Sequence, residues 1–331
     1  MTRYFVEHGA LGAQPLVVLR DDAGRRARIA CHGAALLDFE VPRAGTTFDI
    51  VSGYRDAAEI QARAGSHFAI MVPFAGRIAD ARYRFDGLEY DLQPGVRAPD
   101  RGIMHGFVRD ADFTVVSLDA DESAARVTLA TSAIRPRPGY PFSIDLAVTF
   151  TLDADGLGLE ARMRNVGDTA APCFFGWHAY FRVADGKVDD WALQIPADTV
   201  FRTDANLIAL PGREAYVPLD DAPAFDFRQA RVIANSILDT GYVDLGADDD
   251  GRIRCRLTDP ADDVAVAMWQ KHGTTHAFTS DTLKQRTRRA VAMEPMEAMA
   301  DAFNRPEWTE AIRLEAGAER SFRCGIEVAC R

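Results

Sequence analysis

The feature that most constrains this chain is an alternation with a period of two. Phe142, Ile144, Leu146, Val148, Phe150 and Leu152 interleave with Ser143, Asp145, Ala147, Thr149 and Thr151. Successive side chains of a strand point to opposite faces, so this run predicts one apolar face and one mostly polar face. Asp153-Ala154-Asp155-Gly156 then turns the chain into a second alternating run of Leu157, Leu159, Ala161 and Met163. A further hairpin reads at Tyr83-Arg84-Phe85, Asp86-Gly87, Leu88-Glu89-Tyr90, where Asp-Gly supplies the positive φ angles of a two-residue turn. Similar strands read at 16–20, 27–32, 36–41, 113–118, 125–131, 190–195, 242–246, 252–257, 264–269 and 321–330. Helical signal is confined to 56–63 after Asp56 and 296–303 after Pro295. The expectation is an all-β, large antiparallel sandwich or barrel, in one domain over residues 1–331, because no linker, repeat or change of composition divides the chain.

Composition bounds the partners. The formal net charge of −11 argues against nucleic acid or an anionic membrane as partner, since both are polyanions. A small anionic ligand needs only one or two local arginines. No run approaches the ~20 apolar residues of a membrane span, and the N-terminus carries no run of signal-peptide length. The five cysteines, Cys31, Cys173, Cys255, Cys324 and Cys330, form no CxxC pair and no metal-ligand spacing. A cytoplasmic protein with free thiols, binding no metal and no cofactor, is the expectation. Cys324 and Cys330 fall on the apolar face of the last strand and read as small core residues. Asp248-Asp249-Asp250-Gly251 lacks the downstream glutamate of a calcium loop and reads as a solvated hairpin turn.

Against this β background His178 stands in Phe174-Phe175-Gly176-Trp177-His178-Ala179-Tyr180-Phe181. Alone it reads as a core-strand histidine. Three other stretches share its chemical promise: Phe74-Ala75-Gly76-Arg77-Ile78, Met104-His105-Gly106-Phe107-Val108-Arg109 and Met293-Glu294-Pro295. Their order, with Tyr83, Phe85, Gly87, Tyr90 and Leu92, then Tyr140-Pro141-Phe142, Asn165 and Gly167, Asp226-Phe227-Arg228, and Asp239 before Tyr242, resembles the aldose 1-epimerase (galactose mutarotase-like) family. The resemblance covers nearly the whole chain and implies that family's β-supersandwich.

It also implies a chemistry: interconversion of the α and β anomers of a hexose or related aldose. One group takes the proton of the C1 hydroxyl while another protonates the ring oxygen, and after rotation about C1–C2 the roles reverse, a task for a carboxylate and an imidazole on opposite sides of one sugar. By resemblance Glu294 is the general base and His178 the general acid, while His105, Arg77 and Asp239 bind the sugar. Trp177 and Phe181 are candidates for a stacking platform. His8, His32, His67, His272 and His276 match no motif and read as surface or satisfied histidines.

Two departures bear on substrate. Many sugar mutarotases carry Asn-Arg where this chain has Gly76-Arg77. His105-Gly106-Phe107-Val108-Arg109 is closer to the hexose-6-phosphate 1-epimerase branch, for which Arg109, Arg82 or Arg84 would hold the phosphate. A non-catalytic sugar-binding protein is a further alternative; a lyase or glycosidase would want a second well-placed carboxylate. The expected partner is a small-molecule sugar, and the expected state a monomer or homodimer.

Overall fold

In the computed structural model, which describes residues 2–43, 45–261 and 264–330, the alternating hairpin forms as read. Strands Ile144–Asp153 and Gly156–Asn165 pair antiparallel, with Leu152 opposite Leu157, Phe150 opposite Leu159, Val148 opposite Ala161 and Leu146 opposite Met163. Paired residues share a face, so one apolar surface is assembled directly from the pattern. The turn holds because the Asp153 carboxylate accepts from the backbone N–H groups of Asp155 and Gly156.

This hairpin sits within a nine-stranded sheet running from Arg231–Val232 at one edge to Thr114–Ala120 at the other, with the terminal strand Glu319–Cys330 next to Gly156–Asn165. An eight-stranded sheet carries Asp239–Leu245, Thr274–Phe278, Val291–Met296, Gly176–Trp177 and Ile70–Met71 as successive neighbours. A five-stranded meander, Tyr4–Leu11 to Thr46–Asp49, precedes both. One cluster of buried apolar side chains extends from Tyr4 to Ile326 and includes residues of all three sheets. No helix is long and apolar enough to cross a membrane among the described residues.

Most expected strands are present within a few residues of their assigned limits. The expected first helix is Ala57–Ala62, capped by the Asp56 carboxylate, which accepts from the Glu59 N–H. The helix expected over 296–303 does not form. Met296 instead ends the strand Val291–Met296, and residues 297–303 are buried except for Ala300, which leaves no amphipathic stripe to stabilise a helix; only Ala302–Asn304 makes a 3-10 turn. In the acidic hairpin, Asp248 and Asp250 pair with Arg252, Arg254 and Arg256, in keeping with a surface turn. Cys31, Cys173, Cys255 and Cys324 are free and buried; the side chain of Cys330 lies outside the described residues.

Candidate active site

Three neighbouring strands of the eight-stranded sheet set the floor of a cleft. Asp239–Leu245 pairs with Thr274–Phe278 through Asp239 opposite Phe278 and Gly241 opposite His276. Thr274–Phe278 pairs in turn with Val291–Met296, placing His276 directly opposite Glu294. On the far side of that last strand, the Met293 N–H donates to the Ala179 carbonyl and the Glu297 N–H to the Phe175 carbonyl. These bonds bring the 174–181 segment alongside, and His178 next to Glu294.

Along that segment alternation sorts the aromatic residues. Trp177, Ala179 and Phe181 are fully buried, Trp177 and Phe181 packing on Phe68, whereas His178 and Tyr180 line the cleft. The stacking platform expected of Trp177 and Phe181 is therefore absent: both rings serve the core. Tyr180 does the stacking, its ring 4.9 Å from that of His178 and nearly parallel to it.

The opposite wall comes from the loops around residues 76 and 105. Arg77 and Met104 form an isolated bridge, the His105 N–H donates to the Gly76 carbonyl, and the Gly76 N–H donates to His105 Nδ1 at 3.2 Å. With Nδ1 accepting, the neutral ring carries its proton on Nε2 and remains a donor there. His105 itself adopts φ +61°, a left-handed backbone conformation costly for a residue with a side chain. Gly106 follows at φ +65°, where a Cβ would lie 2.1 Å from the Val72 carbonyl oxygen. Gly106→Ala is accordingly expected to cost about 2–4 kcal/mol of stability. Urea unfolding would show this as a lower midpoint with an unchanged slope.

The resulting cleft encloses about 240 Å³ and is lined by all five residues singled out as candidates: Arg77, His105, His178, Asp239 and Glu294. His178 Nε2 lies 3.5 Å from Glu294 Oε1. The two residues expected to act as acid and base are thus side by side, not on opposite sides of a gap the width of a sugar. Such a placement would let both groups reach one aldose, because its C1 hydroxyl oxygen and ring oxygen are bonded to the same carbon. Arg77, half-buried in the wall, has no side-chain partner among the described residues.

Sequence reasoning missed His276. It lines the cleft, and its Nε2 is 2.8 Å from Asp239 Oδ1. Asp239 also gives the cleft a second carboxylate, though one already engaged by an imidazole. Of the arginines considered for phosphate, Arg82 pairs with Asp80 and Asp91, and Arg84 with Glu89, on a hairpin outside this cleft. Arg109 donates to Ser66 Oγ at 2.9 Å, and Ser66 lines the cleft. Larger grooves of about 620 and 430 Å³ adjoin residues 54–59 and 283–289, but neither reaches Glu294 or His178.

Burial dominates the electrostatics. Glu294, 3% exposed, has its carboxyl pushed up to about 8 by desolvation, with the His276 charge opposing and the Asp239 charge reinforcing the rise. His178, 7% exposed, is driven well below the ordinary histidine value by burial, then by His105 and His276. Burial also takes His105 down to about 3, helped by Arg109 and Arg77. For His276 burial opposes the charge, but the Asp239 hydrogen bond and the Glu294 and Asp239 charges outweigh it, and the net shift is upward. Among the described residues, no group of three His, Cys, Asp or Glu is placed to hold a metal ion.

Comparison with known proteins extends the geometry. Residues 15–327 match the profile of the family described as aldose 1-epimerase. The uncharacterized protein YihR of Escherichia coli K12 is 29% identical over 249 residues, 75% of this chain and 74% of that protein. The aldose 1-epimerase of the same organism is 28% identical over 243 residues, 72% of this chain and 64% of that enzyme. In three dimensions, the galactose 1-epimerase of Lactobacillus acidophilus NCFM superposes with a TM-score of 0.79 at 15% identity, covering 100% of this chain and 99% of the other.

Proposed function

This chain belongs to the aldose 1-epimerase family of isomerases, and from that premise we propose that it interconverts the anomers of a free hexose or related aldose, with Glu294 and His178 as its proton-transfer pair. The observation that carries this reading is the contact of a buried carboxylate with a buried imidazole, 3.5 Å apart, in a cleft of about 240 Å³ that also exposes an unpartnered guanidinium. A protein that only binds sugar has no use for such a pair.

The chemistry requires one proton shared between the two groups. Ring opening begins with carboxylate and imidazolium: Glu294 accepts the C1 hydroxyl proton and His178 donates to the ring oxygen. With the sugar open, Glu294 carries the proton and His178 is neutral. Reclosure on the other face of the carbonyl returns both protons and restores the starting state. Burial raises Glu294 and lowers His178. Burial therefore favours the proton placement that belongs to the open-chain midpoint of the cycle. Both placements have the same net charge, so the pair titrates as one unit. Activity is expected to hold across neutral pH and fall as pH rises through about 8, where the pair loses its one proton. A profile of kcat/KM against pH checks this.

Arg77 supports the same reading as a hydroxyl donor. Arg77→Ala is expected to raise KM roughly ten- to a hundredfold, with a smaller effect on kcat, as steady-state kinetics would show. Polarimetry of freshly dissolved α-galactose, α-glucose and α-glucose 6-phosphate tests the function and its substrate class together. Equilibration no faster than in buffer for every sugar would refute the enzymatic reading. Preference for the phosphorylated sugar, lost selectively in Arg109→Ala, would move the substrate to a hexose 6-phosphate, for which the Arg109–Ser66 contact is the one favourable observation.

A further inference from the structure

We propose that His276, held as an imidazolium against Asp239, is a positioning residue that sets the proton balance of the Glu294–His178 pair; this rests on the reading of those two residues as the proton-transfer pair.

Asp239, His276 and Glu294 lie on three consecutive strands, with His276 directly opposite Glu294 and bonded at 2.8 Å to Asp239 on its other side. Residues directly opposite each other in an antiparallel pair have Cβ atoms about 4.5–5.5 Å apart, so the sheet itself keeps the imidazole beside the carboxyl. No loop movement is needed to assemble the row, and none separates it.

Every charged or titratable group facing the row can be named. Asp239 holds His276 from one side, and Glu294 faces it from the other. Arg77 acts on His276 and Asp239 from the opposite wall. His178 and Tyr180 approach from the 174–181 segment, with His105 beyond His178 and His67 beyond Tyr180. Apart from the 3.5 Å contact with His178, Glu294 has no side-chain partner among the described residues. His276 is thus the group directly opposite Glu294 in register that can carry a positive charge, beside a carboxyl whose other titratable neighbours are His178, Tyr180 and the negative Asp239.

Its consequence concerns the two proton placements of the pair. Desolvation alone would strand the proton on Glu294, leaving the carboxylate–imidazolium form scarce and ring opening slow. A positive charge directly opposite Glu294 stabilises its carboxylate more than it disfavours a proton on His178, one segment further away, and so brings the two placements closer in energy. Asp239 is needed because a histidine buried here would otherwise be neutral. The row is therefore a relay of influence and moves no proton itself. Each element holds the next in the charge state that the next requires.

His276→Gln keeps a donor for Asp239 and removes the charge. Removing a positive charge raises the proton affinity of Glu294 most and that of the more distant His178 less, so the alkaline fall of kcat/KM and the acid fall below it, where the pair gains a second proton, are both expected to move up, the alkaline one by roughly one pH unit or more, with kcat at neutral pH reduced. His276→Lys restores the charge and should return the limbs to within a few tenths of a unit of the unmodified enzyme. If turnover of His276→Gln is too slow to follow, ¹³C NMR of the Glu294 side-chain carboxyl, assigned by its loss in Glu294→Gln, reads the same shift without activity. Limbs or a carboxyl titration unmoved by His276→Gln would overturn the inference, whatever happens to KM, and would leave His276 a sugar ligand or a packing residue. Full activity in Glu294→Gln is a different failure. It would remove the proton-transfer reading itself, independently of His276.

Discussion

Glu294→Gln is expected to lower kcat by about 10²–10⁴ and, at the same time, to make the protein more resistant to heat. The first effect follows from the proposed role of Glu294 as the group that accepts and returns the C1 proton. The second follows from its burial. A carboxyl with a folded-state value of about 8, against about 4.5 in the unfolded chain, contributes nothing to the pH dependence of stability below 4.5, where both states are protonated. Between those two values the unfolded chain releases its proton while the folded protein keeps it, so stability declines steadily with rising pH. Above about 8 the full cost of a buried charge is present. Glutamine has no such charge, and the variant's advantage in melting temperature should grow from pH 5 to pH 8 and then level off. Polarimetry and thermal melts on one preparation test both halves. Near-normal turnover would sink the role assigned to Glu294, and a melting difference flat across pH would sink the account of its burial.

His178→Asn is expected to lose activity by a similar factor, about 10²–10⁴ in kcat, with little change in KM. Asparagine can still donate one hydrogen bond but cannot accept and release a proton near neutral pH. Its pH signature is the mirror image of that of Glu294. The His178 imidazole is held neutral by burial, so its stability contribution is present above about 6.5 and is lost as pH falls below it, where the unfolded chain takes up a proton that the folded site refuses. The variant should therefore gain on the parent in acid, not in base. On the proposed reading the two residues act as a unit, and the double variant should be no slower than the worse single one. Additive losses, measured by the same assay, would mean that they act on separate steps.

Much of this was legible in the residues alone, for reasons of period. Alternation over 142–163 has one strand solution, Asp-Gly at 86–87 has one turn, and Asp56 before Ala57–Ala62 is a cap that forms locally. What failed depended on contacts between distant segments. His276 sits in Thr-Thr-His-Ala-Phe, a short strand without an alternating apolar pattern, and its meaning comes from register with Asp239 and Glu294 on two other strands. The helix expected after Pro295 failed because that stretch is enclosed on both sides, which no single-strand pattern reveals. The spacing of the pair was misjudged for a related reason. A reaction scheme says that two groups must reach C1, and only the backbone bonds between 175–179 and 293–297 say that they do so from adjacent positions.

Asp239, His276 and Glu294 are borne by sheet strands, and His178 is clamped beside them by backbone bonds, whereas Met104, Thr203, Leu207, Thr282 and Leu283 reach the same cleft from connecting loops. Strands share their hydrogen bonds with both neighbours and resist displacement, while loops tolerate exchange. The molecule thus separates two kinds of heritable change. On the proposed function, substitutions and insertions in the rim can retune which sugar is accepted while leaving untouched the floor to which proton transfer is assigned. Changes to the floor put at risk a row of charges that must all be right together. A lineage built on this plan is expected to vary at its rim and stay constrained at its floor. Grafting a rim from one member onto another should transfer preference without rebuilding the catalyst.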